Sequence, residues 1–159
     1  MSTMVHFELV VPGEPRGQGR ARIGRGPGGR PMAFKDKHEV AYRSQIVSAW
    51  RAAGSPVVEG YWAASVQVFM SRPKGHYRKG GALSAAGLRT PYPGRTPDVD
   101  NVLKNVDALV KCGAVPDDRL MIEGTASKHW ADPGEERLVI RVSSIGVVTA
   151  DEGDGADEV

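Results

Sequence analysis

Asp98, Asp100, Asn101 and Lys104 crowd into the stretch TPDVDNVLK, residues 96–104, and a second acidic pair, Asp117 and Asp118, follows in VPDD. Carboxylates packed together repel one another and resist ionisation. A divalent cation relieves that repulsion, and a donor set made only of oxygen suits Mg²⁺, or Mn²⁺, better than zinc. The histidines, His6, His38, His76 and His129, show no ligand spacing. A cation held by aspartates can activate water and stabilise charge on a phosphorus oxygen, so phosphodiester hydrolysis is the chemistry these residues suit. Lys104, one helical turn after Asp100, could set a positive charge against the scissile phosphate. The same residues also admit plain roles: Asp98 as a helix cap, Asp100–Lys104 as an exposed ion pair, Asp117 and Asp118 as turn residues.

These side chains need a helix and a returning strand to hold them. Val99, Val102, Leu103, Val106, Leu109 and Val110 fall on one face of a helix from about Pro97 or Val99 to Cys112, stopped by Gly113. Asp100, Lys104 and Asp107 fall on the other. Residues two apart on a helix point about 200° apart. Asp98 can therefore share a ligand with Asp100 only from a position ahead of the regular helix. Helix, turn and strand are expected to bring Asp117 or Asp118 back towards them. Elsewhere, His6–Val11 reads as a strand, and Pro12–Pro31 as a mobile basic loop. Asp36 and Glu39 form a capping box for a helix stopped by Gly54. Tyr61–Met70, Leu120–Trp130 and Arg137–Ile145 read as strands, and Ser71–Thr96 shows no pattern. The expected fold is α+β, a small mixed sheet with both helices on one face, in the order β-α-β-α-β-β. One domain spans residues 1–146, and the acidic tail 147–159 lacks a packing pattern.

Charge points to the partner. The formal net charge is only +2, but residues 16–51 hold nine Lys/Arg against two acids, residues 71–97 six against none, and the tail five acids and no base. Two basic loop segments set apart from an acidic tail suit a polyanion, nucleic acid first. Arg16, Arg20, Arg22, Arg25, Lys74, Arg78 and Lys79 are the candidate DNA contacts. The glycines of the first segment are not followed by GK[ST], which excludes a phosphate loop of that type. The single cysteine, Cys112, excludes an internal disulfide framework and a cysteine-based zinc cluster. No apolar run approaches the ~20 residues that span a bilayer, and no secretory leader is visible, so a cytoplasmic protein is expected.

At these residues the chain resembles the RusA family of Holliday-junction resolvases, in the form carried by phages and prophages. The likeness rests on PDVDNVLKNVDAL, residues 97–109, on GAVPDD, residues 113–118, and on a strand reaching Lys128; it extends over roughly residues 5–145. The resemblance implies catalytic roles for Asp98, Asp100, Lys104 and Asp118, with Asp98, Asp100 and Asp118 as metal ligands, and it adds Lys128 as a DNA contact. It further implies a Mg²⁺-dependent homodimer that places paired, symmetric nicks in four-way or otherwise branched DNA. Other readings are a non-catalytic branched-DNA-binding protein of the same fold, a general nuclease of PD-(D/E)xK type, or a phosphohydrolase of RNA or nucleotides. The PD-(D/E)xK reading lacks its E-x-K, since Glu123 and Lys128 stand five apart.

Overall fold

The computed structural model describes residues 3–19 and 21–146, so Arg20 and the acidic tail lie outside the described residues. The fold is α+β. β1 (Thr3–Pro12), β4 (Trp62–Met70), β5 (Met121–Trp130) and β6 (Arg137–Ile145) form one mixed sheet in the order β1-β6-β4-β5. β6 pairs antiparallel with β1 and β4, while β4 and β5 run parallel.

Strand alternation decides which face is covered. Trp62, Ala64, Val66, Val68 and Met70 are buried at every second position of β4, in register with Leu138, Ile140 and Val142 on β6 and through them with Leu9 and Val11 on β1. Helix α1 (Lys37–Ala52) packs Tyr42, Ile46 and Trp50 onto this face, and Val102, Val106 and Leu109 come from the second helical segment. Each large apolar side chain removed from water there stabilises the fold by about 1.5–3 kcal/mol. Both helices thus cover one face, as expected. The opposite face carries Glu8 paired with Arg141, Phe69 stacked on His129, and Arg137 over the Phe69 ring.

The second helical segment follows its apolar stripe but is not uniform. Helix α3 (Val99–Leu103) passes through a 3-10 turn (Lys104–Val106) into helix α4 (Asp107–Cys112), and Gly113 ends it in the left-handed conformation, φ 86°. Val99, placed on the apolar stripe by spacing, is half exposed because it is the first helical residue.

Two segments differ from the sequence reading. The basic stretch after β1 is not an irregular loop: β2 (Arg22–Arg25) and β3 (Pro31–Phe34) pair into a separate two-stranded ribbon. Its strands are short, and all their residues are at least partly exposed, so no alternation marks them. The stretch 71–96 carries a short helix, α2 (Ala85–Arg89), capped by the Ser84 hydroxyl. Trp130 and Arg72 pin it: the indole N–H donates to the Thr90 carbonyl at 2.8 Å and the guanidinium to the Gly87 carbonyl at 3.1 Å.

Candidate functional site

Asp98 is the residue immediately ahead of α3, with extended backbone (φ −72°, ψ 156°), and its side chain makes no capping hydrogen bond. The plain capping role is therefore not the one it plays. This is the position from which its carboxylate can share a ligand with Asp100, in the first turn. Asp100 and Lys104 lie one turn apart, with Nζ 3.6 Å from Oδ2, and the same ammonium donates to Asn101 Oδ1 at 3.2 Å. Both Asp98 and Asp100 are exposed. Asp98, Asp100, Asn101 and Lys104 thus form one polar cluster at the entry of α3.

The loop before the ribbon is fastened against this cluster. Gly17 packs so closely that a Cβ there would lie 2.5 Å from Pro97 Cβ, which is why the position demands glycine. The Gln18 backbone N–H donates to the Asn101 carbonyl at 2.9 Å. Asn105, wholly buried, donates to the carbonyls of Arg16 (2.9 Å) and Val102 (3.0 Å) and accepts from the Gln18 amide at 3.3 Å. Arg43 on α1 completes the network by donating to Gln18 Oε1 at 2.9 Å. By taking the Val102 carbonyl, a mid-helix asparagine competes with the backbone ladder, and the helix tightens to 3-10 at this point. Glu39 was expected to close a capping box on Asp36. Instead Asp36 alone caps α1 through the His38 N–H, and Glu39 accepts from the Gly19 N–H at 2.9 Å. Gln18, Asn105 and Arg43 carried no sequence signal beyond one polar residue interrupting an apolar stripe.

A cleft of about 410 Å³ opens beside Pro97 and Asn101, with Glu14, Arg16, Glu39 and Arg95 among its walls. Arg95 fixes one wall, donating to Glu14 and to the Ser71 carbonyl, both at 3.0 Å. Lys128 donates to the Arg95 carbonyl at 2.7 Å, so its side chain ties β5 to the approach to α3.

Asp117 and Asp118 begin the turn ahead of β5. Asp117 is engaged within its own loop, accepting from the Arg119 backbone N–H and from both Nε and Nη2 of its guanidinium. The Arg119 side chain, then its N–H, hold the Asp117 carboxyl well below the usual carboxylate range. Asp118 is exposed at the start of a 3-10 turn. The expected return of this pair to Asp98 does not occur within one chain. The Trp62 indole, at the start of β4, holds the Asp117 carbonyl at 2.9 Å. The approach to Asp98, by contrast, lies near the far ends of β4 and β5, since Pro97 lines the cleft with Met70 and the Arg95 carbonyl accepts from Lys128. The helical rod between them, residues 99–112, is about 20 Å long at 1.5 Å per residue. Among the described residues no three His, Cys, Asp or Glu side chains gather as a preformed cation site.

The donor chemistry nevertheless fits a hard divalent cation: exposed carboxylate oxygens, with the Asp98 carboxylate not committed to its helix cap. Of the candidate DNA contacts, Arg22 and Arg25 are exposed on β2, and Arg16 is exposed where the loop meets Asn105. Lys74, Arg78 and Lys79 are exposed on a loop closed by a Tyr77–Leu83 bridge. Lys35, at the foot of the ribbon, crowds Lys111 on α4 and, with burial and Arg43, lowers the Lys111 pKa.

A mixed sheet with helices on one face, carrying aspartates and a lysine at a helix entry between arginine- and lysine-bearing loops, defines a small α+β protein equipped to act on nucleic acid. The family model described as Endodeoxyribonuclease RusA matches residues 12–143. The chain belongs to that family, whose members act on branched DNA such as Holliday junctions. No curated protein matches the chain. Among the described residues no helix is long and apolar enough to cross a membrane.

Proposed function

We propose that the protein is a Mg²⁺-dependent endonuclease that resolves four-way DNA junctions by paired, symmetric nicks, working as a homodimer. The observation that carries this is the Asp98 carboxylate, left uncommitted by its helix cap, beside Asp100 with Lys104 one turn below. Asp98, Asp100 and Asp118 are the residues that would hold the cation, which when bound supplies Lewis acidity and a lowered water pKa. Lys104 sets its ammonium beside the carboxylates, where a scissile phosphate would meet it. Exposed Arg22, Arg25, Lys74, Arg78 and Lys79 hold the flanking backbone phosphates, with Arg16 and Lys128 closer to the cluster.

The separation of Asp118 from Asp98 in one chain joins the dimer to the ion. A two-fold axis presents each copy's acidic turn to the other, so Asp118 of the partner subunit completes the donor set. Two such sites match the two equivalent strands of a junction. The test is cleavage of a labelled synthetic four-way junction with Mg²⁺, beside linear duplex of the same sequence, using Asp100→Asn as control. Paired nicks in the junction alone, lost in the variant while binding persists, are expected. Junction binding by the native chain without cleavage would replace the reading by a non-catalytic branched-DNA-binding protein, and equal cutting of duplex would indicate a general nuclease.

A further inference from the structure

The ribbon presents apolar side chains to solvent outside the sheet's core. Ile23 is 82% exposed, Phe34 46% and Met32 45%. Cross-strand partners share a face, so Phe34 stands with Arg22 and Met32 with Gly24 on one side, Ile23 with Ala33 and Arg25 with Pro31 on the other. Two of these side chains lie closely over glycines: a Cβ on Gly24 would sit 2.9 Å from the Phe34 ring, and one on Gly26 would strike the Met32 sulfur. Each face therefore offers an apolar group beside an arginine.

Resting on the junction-cleaving reading, we propose that the ribbon 22–34 is a wedge that recognises the branch point, its arginines on phosphates and Ile23 and Phe34 against unstacked bases. Charge names the partner. No acidic residue occurs between Glu14 and Asp36, while Arg16, Arg22, Arg25, Arg30 and Lys35 do. At the foot, Lys35 lies close enough to Lys111 to disfavour its charge, which an anion between them would relieve. A two-fold contact of ribbon with ribbon would instead set arginine against arginine.

Side-chain chemistry names the feature read. Ile23, Met32 and Phe34 carry no hydrogen-bonding group with which to read base edges in a groove. Apolar side chains can enter between base steps, at the cost of unstacking each step opened. That cost is smallest where stacking is already interrupted, so the wedge favours a branch over continuous duplex. Position agrees: the ribbon runs from Arg22, just past Gly19, to Phe34, just before Asp36, and Gly19 and Asp36 line the cleft with Pro97 and Asn101, the neighbours of Asp98 and Asp100. Four paired residues reach about 14 Å from that foot.

The test uses the full-length chain without metal, titrated against a four-way junction carrying 2-aminopurine at the branch and against matched duplex. Native protein is expected to raise branch fluorescence on binding. The double variant Ile23→Ser, Phe34→Ser is expected to lose that rise and about tenfold in junction affinity, with duplex affinity within about twofold. Ile23→Ser alone, at a position too exposed to unfold the chain, is expected to lose part of both. A variant that discriminates as well as native protein overturns the wedge alone. Equal loss on junction and duplex reduces the ribbon to a general backbone contact, and a drop in sedimenting mass makes it an interface between copies; either overturns the wedge. Native protein that does not prefer junctions overturns the resolvase reading, and the wedge with it.

Discussion

Lys104 is held by Asp100 at 3.6 Å and by the Asn101 amide oxygen at 3.2 Å, so its ammonium is oriented but loosely paired. A side chain held this way can pass to a phosphate oxygen without giving up a strong ion pair, since exposed pairs are worth ~1 kcal/mol or less. Lys104→Ala is expected to slow junction cleavage by roughly 10²-fold, the scale of losing one donor to a developing oxyanion, while junction affinity falls much less. Single-turnover cleavage compared with equilibrium binding checks this, and parallel losses in both would make Lys104 a backbone contact. At the other acidic pair the residue roles divide. Asp117 spends its carboxylate on Arg119 and shapes the turn, while Asp118 is exposed, which is why the proposed donor set takes Asp118. Two adjacent aspartates look alike in a sequence; a guanidinium two residues away separates them.

Among the elements, the buried Gln18–Asn105–Arg43 network decides how the loop after β1 meets the helix carrying Asp100 and Lys104. Asn105→Ala would strip partners from the Gln18 amide and from the carbonyls of Arg16 and Val102. It is expected to destabilise the fold by about 2 kcal/mol, seen as a lowered urea midpoint at unchanged slope. An unaltered midpoint would mean water replaces the amide fully. The helices themselves were legible because their start and stop signals are local: Asp36 caps α1, and Gly113 takes the left-handed φ that ends α4. The four long strands were legible as runs set between turn signals, with clear alternation in β4. The ribbon was not, because both its faces are wet and its composition is that of a flexible loop. The helix in 71–96 was missed for a related reason, since its order comes from Arg72 and Trp130, distant in sequence. The polar network hid in the same way: Asn105 reads as a flaw in a stripe until Gln18 arrives from 87 positions away.

For the whole molecule, the placement of the acids at opposite ends of a helical rod turns subunit composition into something activity can report. An Asp98→Asn chain and an Asp118→Asn chain are each expected to be inactive. Unfolded and refolded together, they form mixed dimers in which one site, taking Asp98 from one copy and Asp118 from the other, keeps its full donor set. Junctions should then be nicked on one strand only. Sites built within single chains would leave every mixed dimer dead, and silence in that assay would overturn the shared-site arrangement. The separation of the two acidic positions was illegible because spacing along a chain does not fix where helix, turn and strand carry its ends. The mooring of the ribbon has a consequence of another kind. Its two ends are fixed side by side, Gly19 by Glu39 and Asp36 by its cap on α1, and none of the described residues between them belongs to the sheet's core. Closing a longer loop costs only ~0.6 kcal/mol per doubling of length. The segment is thus an exchangeable cassette: a protein engineer can trade it for another of different length and sequence while the folding problem stays solved.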